Sequence, residues 1–358
     1  MIAPGDLRDL ERNPYSNETR PATFTAGGSE HSVKVRHRGA WARSWSKKPI
    51  KIFFEDGKEF DGNRCLNLNP AWRDAAFVRE PLAYHLYAAC GVPASRTRMV
   101  ELHVNGQFHG LYVEVEQPEK PMLKRHGLRG VVLYKANSHE NHADERDLGR
   151  LESYPAHYEK ETRKTESHAD LHAFCRDLAR TGNTREFFTN RVDLEKYINY
   201  LAATVLVQNW DCLSKNHFLA YDQRGSGKWI VVPWDLDRTF GDHWRGGFDR
   251  ADVPLFLGVR SLPGPTGWNR MADRFFSDAT LRTQFVNRLE ELLRDEFTPQ
   301  KLFPILDQYE MQLASAASRD RKRWGGADNL HEGIAEVKAF IQHRRGFLVR
   351  EIAKLRAK

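Results

Sequence analysis

Cysteine is scarce in this chain and never clustered: Cys65, Cys90, Cys175 and Cys212 form no C-x-x-C pair. That argues against a disulfide-built scaffold and the common zinc spacings, and it suits reduced, mostly buried thiols. Long apolar runs are lacking too, and no stretch reaches the ~18 residues that a membrane-spanning helix needs. The first residues, MIAPGDLRDLERNP, lack a basic-then-apolar leader, so a soluble chain without a signal peptide is expected. There is no zinc-finger spacing and no array of basic helices, so neither a nucleic-acid module nor a membrane partner is expected. No segment repeats.

What remains is an ordinary globular composition. Hydrophobic residues make up 40% and aromatics 11% of 358 residues, enough for a folded chain with one large domain or two lobes. The net charge of +7 is spread along the chain. It suits a solvated basic surface or affinity for an anionic ligand such as a nucleotide or an acidic peptide.

The first third reads as β-rich. HSVKVRHRG and KPIKIFF are candidate strands joined by the polar, aromatic-bearing loop RGAWARSWSKK. Residues 73–90 have helical spacing, with Pro81 either a break or a first-turn residue and Gly91 a stop. RMVELHVNGQFHGLYVEVEQ alternates on both sides of Asn105-Gly106, a hairpin signature. VVLYKA is one more short strand. Residues 137–166 are polar and read as a surface insertion, and His139, His142 and His157 within it have no metal-pair spacing. Ser167 with Asp170 reads as a helix start, and Asp193 as the cap of a long helix, LEKYINYLAATVLVQNW. NHFLAYD and KWIVVPWD look like a strand pair around RGSGK, and beyond residue 270 the pattern is helical. The expectation is an α+β chain: a β-rich amino-terminal lobe over 1–136 and a mostly helical lobe over 137–358.

Two polar clusters interrupt apolar sequence. NWDCLSKN, 209–216, places Asp211 and Asn216 after a buried-looking helix. PWDLDRTFG, 233–241, follows the apolar run WIVV, and if that strand continues, Asp235 and Asp237 share one side. Neighbouring carboxylates repel, and a hard divalent cation bound with substrate phosphates relieves that. A turn cluster with Arg238 as counter-ion is the structural alternative. Helix, Asp-x-x-x-x-Asn, β pair, then an acidic loop is the order used by protein kinases. There, one carboxylate orients the acceptor hydroxyl, while an amide oxygen and a second carboxylate hold metal on the phosphates. The chain departs from ordinary kinases in having Asn209-Trp210 before Asp211, Asp-Leu-Asp in place of Asp-Phe-Gly, and no G-x-G-x-x-G.

VRHRGAWARSWSKKPIKIFF, VELHVNGQFHGLYVEVEQ, LYKA, NWDCLSKNHFLAYD and WIVVPWDLDRTFG occur in this order over roughly residues 20–245. Together they resemble the spore coat protein H (CotH) kinase family, as does the helical tail ending near DRKRWGG. The resemblance implies a two-lobed atypical protein-kinase-like fold, and a kinase that uses ATP with Mg²⁺ or Mn²⁺ on a protein substrate. It implies Asp211 as the catalytic acidic residue, Asp235 and Asn216 as metal ligands, and Asp237 as a second metal contact or loop support. Lys51 or its rival Lys135 would meet the phosphates, Glu80 would pair with the lysine, and Arg36, Arg38 and Arg43 flank the same loop. VEVEQP, 113–118, including Glu116, would be the link between lobes, where backbone groups meet the adenine. The same parts also serve AMP transfer or ATP-dependent glutamylation, and a pseudokinase scaffold is a further alternative. WIVVPWDLDRT alone also fits the nucleophile loop of haloacid-dehalogenase-like phosphatases, a fold that needs further parallel strands.

Overall fold

The computed structural model describes residues 1–136, 141–209, 211–212, 214–242, 251–253, 255, 269–325 and 329–357. The chain forms two compact units. The first comprises Met1–Pro81, Ser95–Arg125 and Ile305–Ala335; the second comprises Leu82–Ala94, His126–Pro304 and Glu336–Lys358.

The first unit is built on a six-stranded antiparallel sheet. Its strands are β1 (Arg20–Ala26), β2 (Ser29–His37), β3 (Ile50–Phe54), β4 (Cys65–Asn69), β5 (Thr97–Val104) and β6 (Gln107–Val115), in the order β1-β2-β3-β4-β6-β5. Alternation divides its faces. Val33, Ile52, Phe54, Leu66, Leu68 and Tyr112 form an apolar cluster. On the opposite face Arg36 pairs in register with Lys51, and Lys51 with Asn67. The β5–β6 hairpin turns at Asn105-Gly106, where φ is +50° and +80°, as the mirror-image turn requires.

The loop between β2 and β3 is anchored by Lys47, which is fully buried. Its Nζ donates to the carbonyls of Pro70 and Leu111 and to Asp320 Oδ2, and Asp320 Oδ2 also accepts from the Leu111 backbone N–H at 2.7 Å. A Cβ on Gly110 would lie 2.8 Å from both Lys47 Cε and Asp320 Oδ2, so only glycine lets the strand approach this pair.

The helix Arg79–Ala89 carries Pro81 in its first turn, where the missing N–H has no intrahelical acceptor to lose, and ends at Gly91 with φ +86°. Ahead of it, Asp74 accepts from the backbone N–H groups of Ala76 and Arg79.

The second unit has its own antiparallel sheet, in the order β10-β9-β7-β8: β7 (Val132–Ala136), β8 (Tyr158–Lys160), β9 (His217–Tyr221) and β10 (Trp229–Pro233). Thus Val132–Ala136, assigned to the amino-terminal lobe by its place in the chain, pairs with β8 and β9 in the second unit. The helix Leu194–Val207 begins at Asp193, whose Oδ1 accepts from the Lys196 N–H at 3.2 Å. Helices Ala169–Arg180 and Ala279–Asp295 continue the helical character. Among the described residues no helix is long and apolar enough to cross a membrane.

Two local expectations are corrected. The polar stretch 137–166 is more than a surface insertion: Ala143, Asp144, Glu145, Tyr154, Tyr158 and Lys160 are buried, and β8 lies within it. Residues 137–140, with His139, lie outside the described residues, while His142 and His157 hydrogen-bond to Ser214 and to the His142 carbonyl. Ser167 does not cap a helix; His168 occupies that position without a side-chain cap, and Asp170 accepts instead from the Tyr134 hydroxyl.

Candidate active site

In the second unit the helix Leu194–Val207 is buried from Tyr197 through Val207, so its carboxy terminus is a fixed platform. It ends at Gln208 in the left-handed region, with φ +56°. The buried Asn209 follows. Its Oδ1 accepts from the Asp211 N–H at 3.2 Å and its Nδ2 donates to the Tyr87 hydroxyl at 3.4 Å. Asp211 is thereby oriented by a residue itself held in the core.

The Asp211 carboxylate is engaged on both oxygens. Lys215 Nζ lies 3.0 Å from Oδ1, and Asn216 Nδ2 donates to Oδ2 at 2.9 Å. With the amide nitrogen committed, Asn216 presents its Oδ1 as the remaining acceptor. Burial raises the Asp211 carboxyl above its ordinary range; Lys215 pulls it back, the Asp235 carboxylate raises it again, and Arg238 lowers it. Asp211 and Asp235 therefore lie close enough for their charges to repel.

The second loop is tied to the first through the backbone: Trp234 N–H donates to the Asn216 carbonyl at 3.1 Å. Asn216 and Asp235 both have positive φ, +57° and +58°. Such conformations are uncommon away from glycine, and a fixed surrounding structure sustains them. Asp235 N–H donates to the Tyr84 hydroxyl at 3.2 Å, and Phe240 N–H donates to the Val207 carbonyl at 2.8 Å, so the loop also satisfies a helix end.

β10 stops at Pro233, so the alternation that would place Asp235 and Asp237 on one side lapses before it reaches them. Asp237 Oδ2 instead lies 3.8 Å from Arg238 Nε, and Arg238 bonds Asp242 at 2.7 Å. This geometry makes Asp237 a member of the loop's ionic scaffold.

The donor set fits a metal brought with its substrate. Among the described residues no group of three or more His, Cys, Asp or Glu side chains could hold a metal ion. Mg²⁺ is commonly bound by one or two carboxylates plus phosphate oxygens and water, and the Asn216 Oδ1 and Asp235 carboxylate oxygens suit that arrangement.

In the first unit, Arg38 donates to Asn69 Oδ1, and Asn69 Nδ2 donates to both oxygens of the buried Glu80 at 2.9 Å. Glu80 is thus linked to a basic residue through an amide. Lys51 Nζ donates to Gln117 Oε1 at 3.0 Å and lies 5.2 Å from the centre of the Phe53 ring. Arg43 holds the carbonyls of Tyr15 and Ser16, and Arg36 meets Asn17. The Glu116 carboxylate takes a two-pronged ion pair from Arg125 and the Arg96 N–H, while its own N–H donates to the Arg96 carbonyl. Its side chain is thus tied into the local fold. Lys135 stands in the second unit, half-buried, opposite Phe218 and Glu159.

Sequence reasoning missed three groups. Lys215 lay within the quoted motif but carried no separate signal. Tyr84 sits on a helix distant in sequence. Glu145, inside a charged stretch, forms a buried pair with His217, Nε2 to Oε1 2.9 Å.

The chain belongs to the CotH kinase protein family, whose description matches residues 35–348. It is 27% identical over 316 residues to the inner spore coat protein H of Bacillus subtilis (strain 168), covering 87% of this chain and 84% of that protein. The inner spore coat protein H-like protein of the same organism is 22% identical over 298 residues, covering 83% and 84%. Among solved structures, the Helicobacter pylori proinflammatory kinase CtkA superposes loosely, with a TM-score of 0.31 at 11% identity, covering 76% of this chain and 94% of that one. The Shewanella oneidensis MR-1 HipA complex gives a TM-score of 0.30 at 12% identity, covering 94% of this chain and 66% of that one.

Proposed function

We propose that this member of a kinase family is an ATP- and divalent-metal-dependent protein kinase that moves the γ-phosphoryl group to a serine or threonine hydroxyl. The observation that carries the reading is the joined pair of loops. Asp211 is fixed by Asn216 and Lys215, and the Asn216 carbonyl holds the segment that presents Asp235.

Each residue has a role that follows from its surroundings. Asp211 orients the acceptor hydroxyl and takes its proton as the new oxygen–phosphorus bond forms. The bond to the bridging oxygen breaks, and ADP leaves. Lys215 opposes the effect of burial on Asp211 and offers positive charge beside the acceptor. Asn216 Oδ1 and the Asp235 carboxylate would hold Mg²⁺ or Mn²⁺. When bound, the metal supplies charge that offsets the phosphate oxygens. Lys51, Lys135 and Arg38 are the proposed phosphate-contacting cations, and Glu80, through Asn69, positions Arg38. Asp237 supports the loop through Arg238.

Calorimetric titration with ATP, with and without Mg²⁺, tests the metal assignment. The parent chain should bind more tightly with Mg²⁺, and Asp235→Ala should weaken Mg-ATP binding at least ~10-fold. Undiminished Mg-ATP binding by Asp235→Ala would overturn the assignment. Lys51→Met and Lys135→Met, titrated in the same way, identify the lysine that meets the phosphates by its loss of affinity.

A further inference from the structure

The buried Glu145–His217 pair stands where the loop that begins at Asp211 runs into β9, and its hydrogen bonds turn back to that loop's backbone. His217 Nδ1 lies 3.1 Å from the Cys212 carbonyl and 3.0 Å from the Lys215 carbonyl. Carbonyl oxygens only accept, so Nδ1 carries a hydrogen. Nε2 faces Glu145 Oε1 at 2.9 Å, and one proton is shared across that contact. The imidazole thus spans the loop from the residue after Asp211 to the residue before Asn216, and Glu145 fixes the ring from behind.

The segment carrying Glu145 reaches the loop a second time. Ala143 N–H donates to the Ser214 carbonyl at 2.8 Å, and His142 Nδ1 meets Ser214 Oγ at 3.0 Å. The segment is itself anchored. Glu145 N–H donates to the Tyr158 hydroxyl of β8 at 2.9 Å, and the Asp144 carbonyl accepts from Arg270 N–H at 2.8 Å, where the helix Arg270–Ser277 begins. Glu145 has φ +56°, a conformation its neighbours must hold in place.

We infer that Glu145 and His217 are positioning residues for phosphoryl transfer: together with Ala143 they form a brace that fixes the Asp211-to-Asn216 backbone. The inference rests on the proposed kinase reading for its catalytic consequence, but the brace has a readout of its own. Glu145→Gln keeps the contact, because the amide N–H donates to an unprotonated Nε2. Glu145→Leu removes it and leaves a buried nitrogen unpaired.

Hydrogen exchange over residues 211–217 and steady-state kinetics are compared for the parent and both variants at a temperature where each is folded. The Leu variant should exchange at least ~10-fold faster in that loop while exchange in β1–β6 is unchanged. Its kcat should fall by ~10- to 100-fold with KM for ATP within about threefold, and the Gln variant should behave as the parent. Should the Leu variant not fold, Glu145→Asp, one methylene shorter, carries the same comparison. Equal loop protection in parent and Leu (or Asp) variant would overturn the brace whatever the activity. So would an unchanged kcat in a variant whose loop has loosened. If the parent transfers no phosphoryl group but the loop responds as stated, the brace stands and the kinase reading fails.

Discussion

Asp211 is the residue on which the account turns, and its partners permit a clean substitution. Asparagine at this position still offers an oxygen to Asn216 Nδ2 but loses the charge. Asp211→Asn should lower kcat by ~10²- to 10⁴-fold, the range for a lost general base, with little change in thermal midpoint. A variant with parental kcat would remove Asp211 from the chemistry. The thiols make a separate prediction at this scale. Burial pushes Cys90 and Cys212 up to about 12, and also raises Cys65 and Cys175. The folded chain should resist alkylation at about pH 8, and all four cysteines should react once it is unfolded. Rapid labelling of the native chain would contradict the packing. The two polar clusters that carry Asp211, Asn216 and Asp235 stood out in the sequence because each interrupts apolar sequence. Glu145 did not: among Asp, Glu and Arg neighbours nothing marks the one carboxylate that folds inward. For Asp237 the sequence left metal contact and loop support both open, because alternation decides only along a continuing strand, and β10 ends at Pro233.

Local chemistry was read well at the scale of elements. Asn105-Gly106 gave a hairpin, Asp193 a helix start and Gly91 a helix stop, since each depends on a few adjacent residues. Contacts that join distant elements left no such signal. Lys47 and Asp320 are separated by 273 residues, and neither SKK nor SRDRK announces a buried pair. Removing one member strands the other charge away from water. Asp320→Ala should therefore cost about 3–5 kcal/mol in urea unfolding. The double variant Lys47→Met, Asp320→Leu should lose less, because two apolar side chains replace two charges. A double variant weaker than the single one would show that the backbone hydrogen bonds of the pair, rather than its charges, dominate.

For the whole molecule, buried titratable groups set the limits of stability in pH. His109 is lowered from 6.5 to about 4, chiefly by burial and then by Arg323. The unfolded chain takes up that proton first, so stability is present above pH 6.5 and is lost as pH falls toward 4. Cys90 and Cys212 are raised from 9.0, so the unfolded chain ionises first, and stability is lost as pH rises from 9 toward 12. Denaturant midpoints should peak between these windows; a flat profile would contradict the burial of these groups. At this scale the α+β class was legible from periodicity, but the partition was not. Contacts give the first unit Ile305–Ala335 and the second Leu82–Ala94, assignments that depend on packing between segments far apart in sequence.

The central claim is tested by giving the purified chain, with Mg²⁺ or Mn²⁺ and a general protein acceptor, ATP labelled either at the γ- or at the α-phosphate. The account predicts protein labelled from the γ position alone, on serine or threonine, and none with Asp211→Asn. Label entering from the α position would contradict it in favour of AMP transfer, and ATP consumed without any label would contradict it in favour of carboxylate activation.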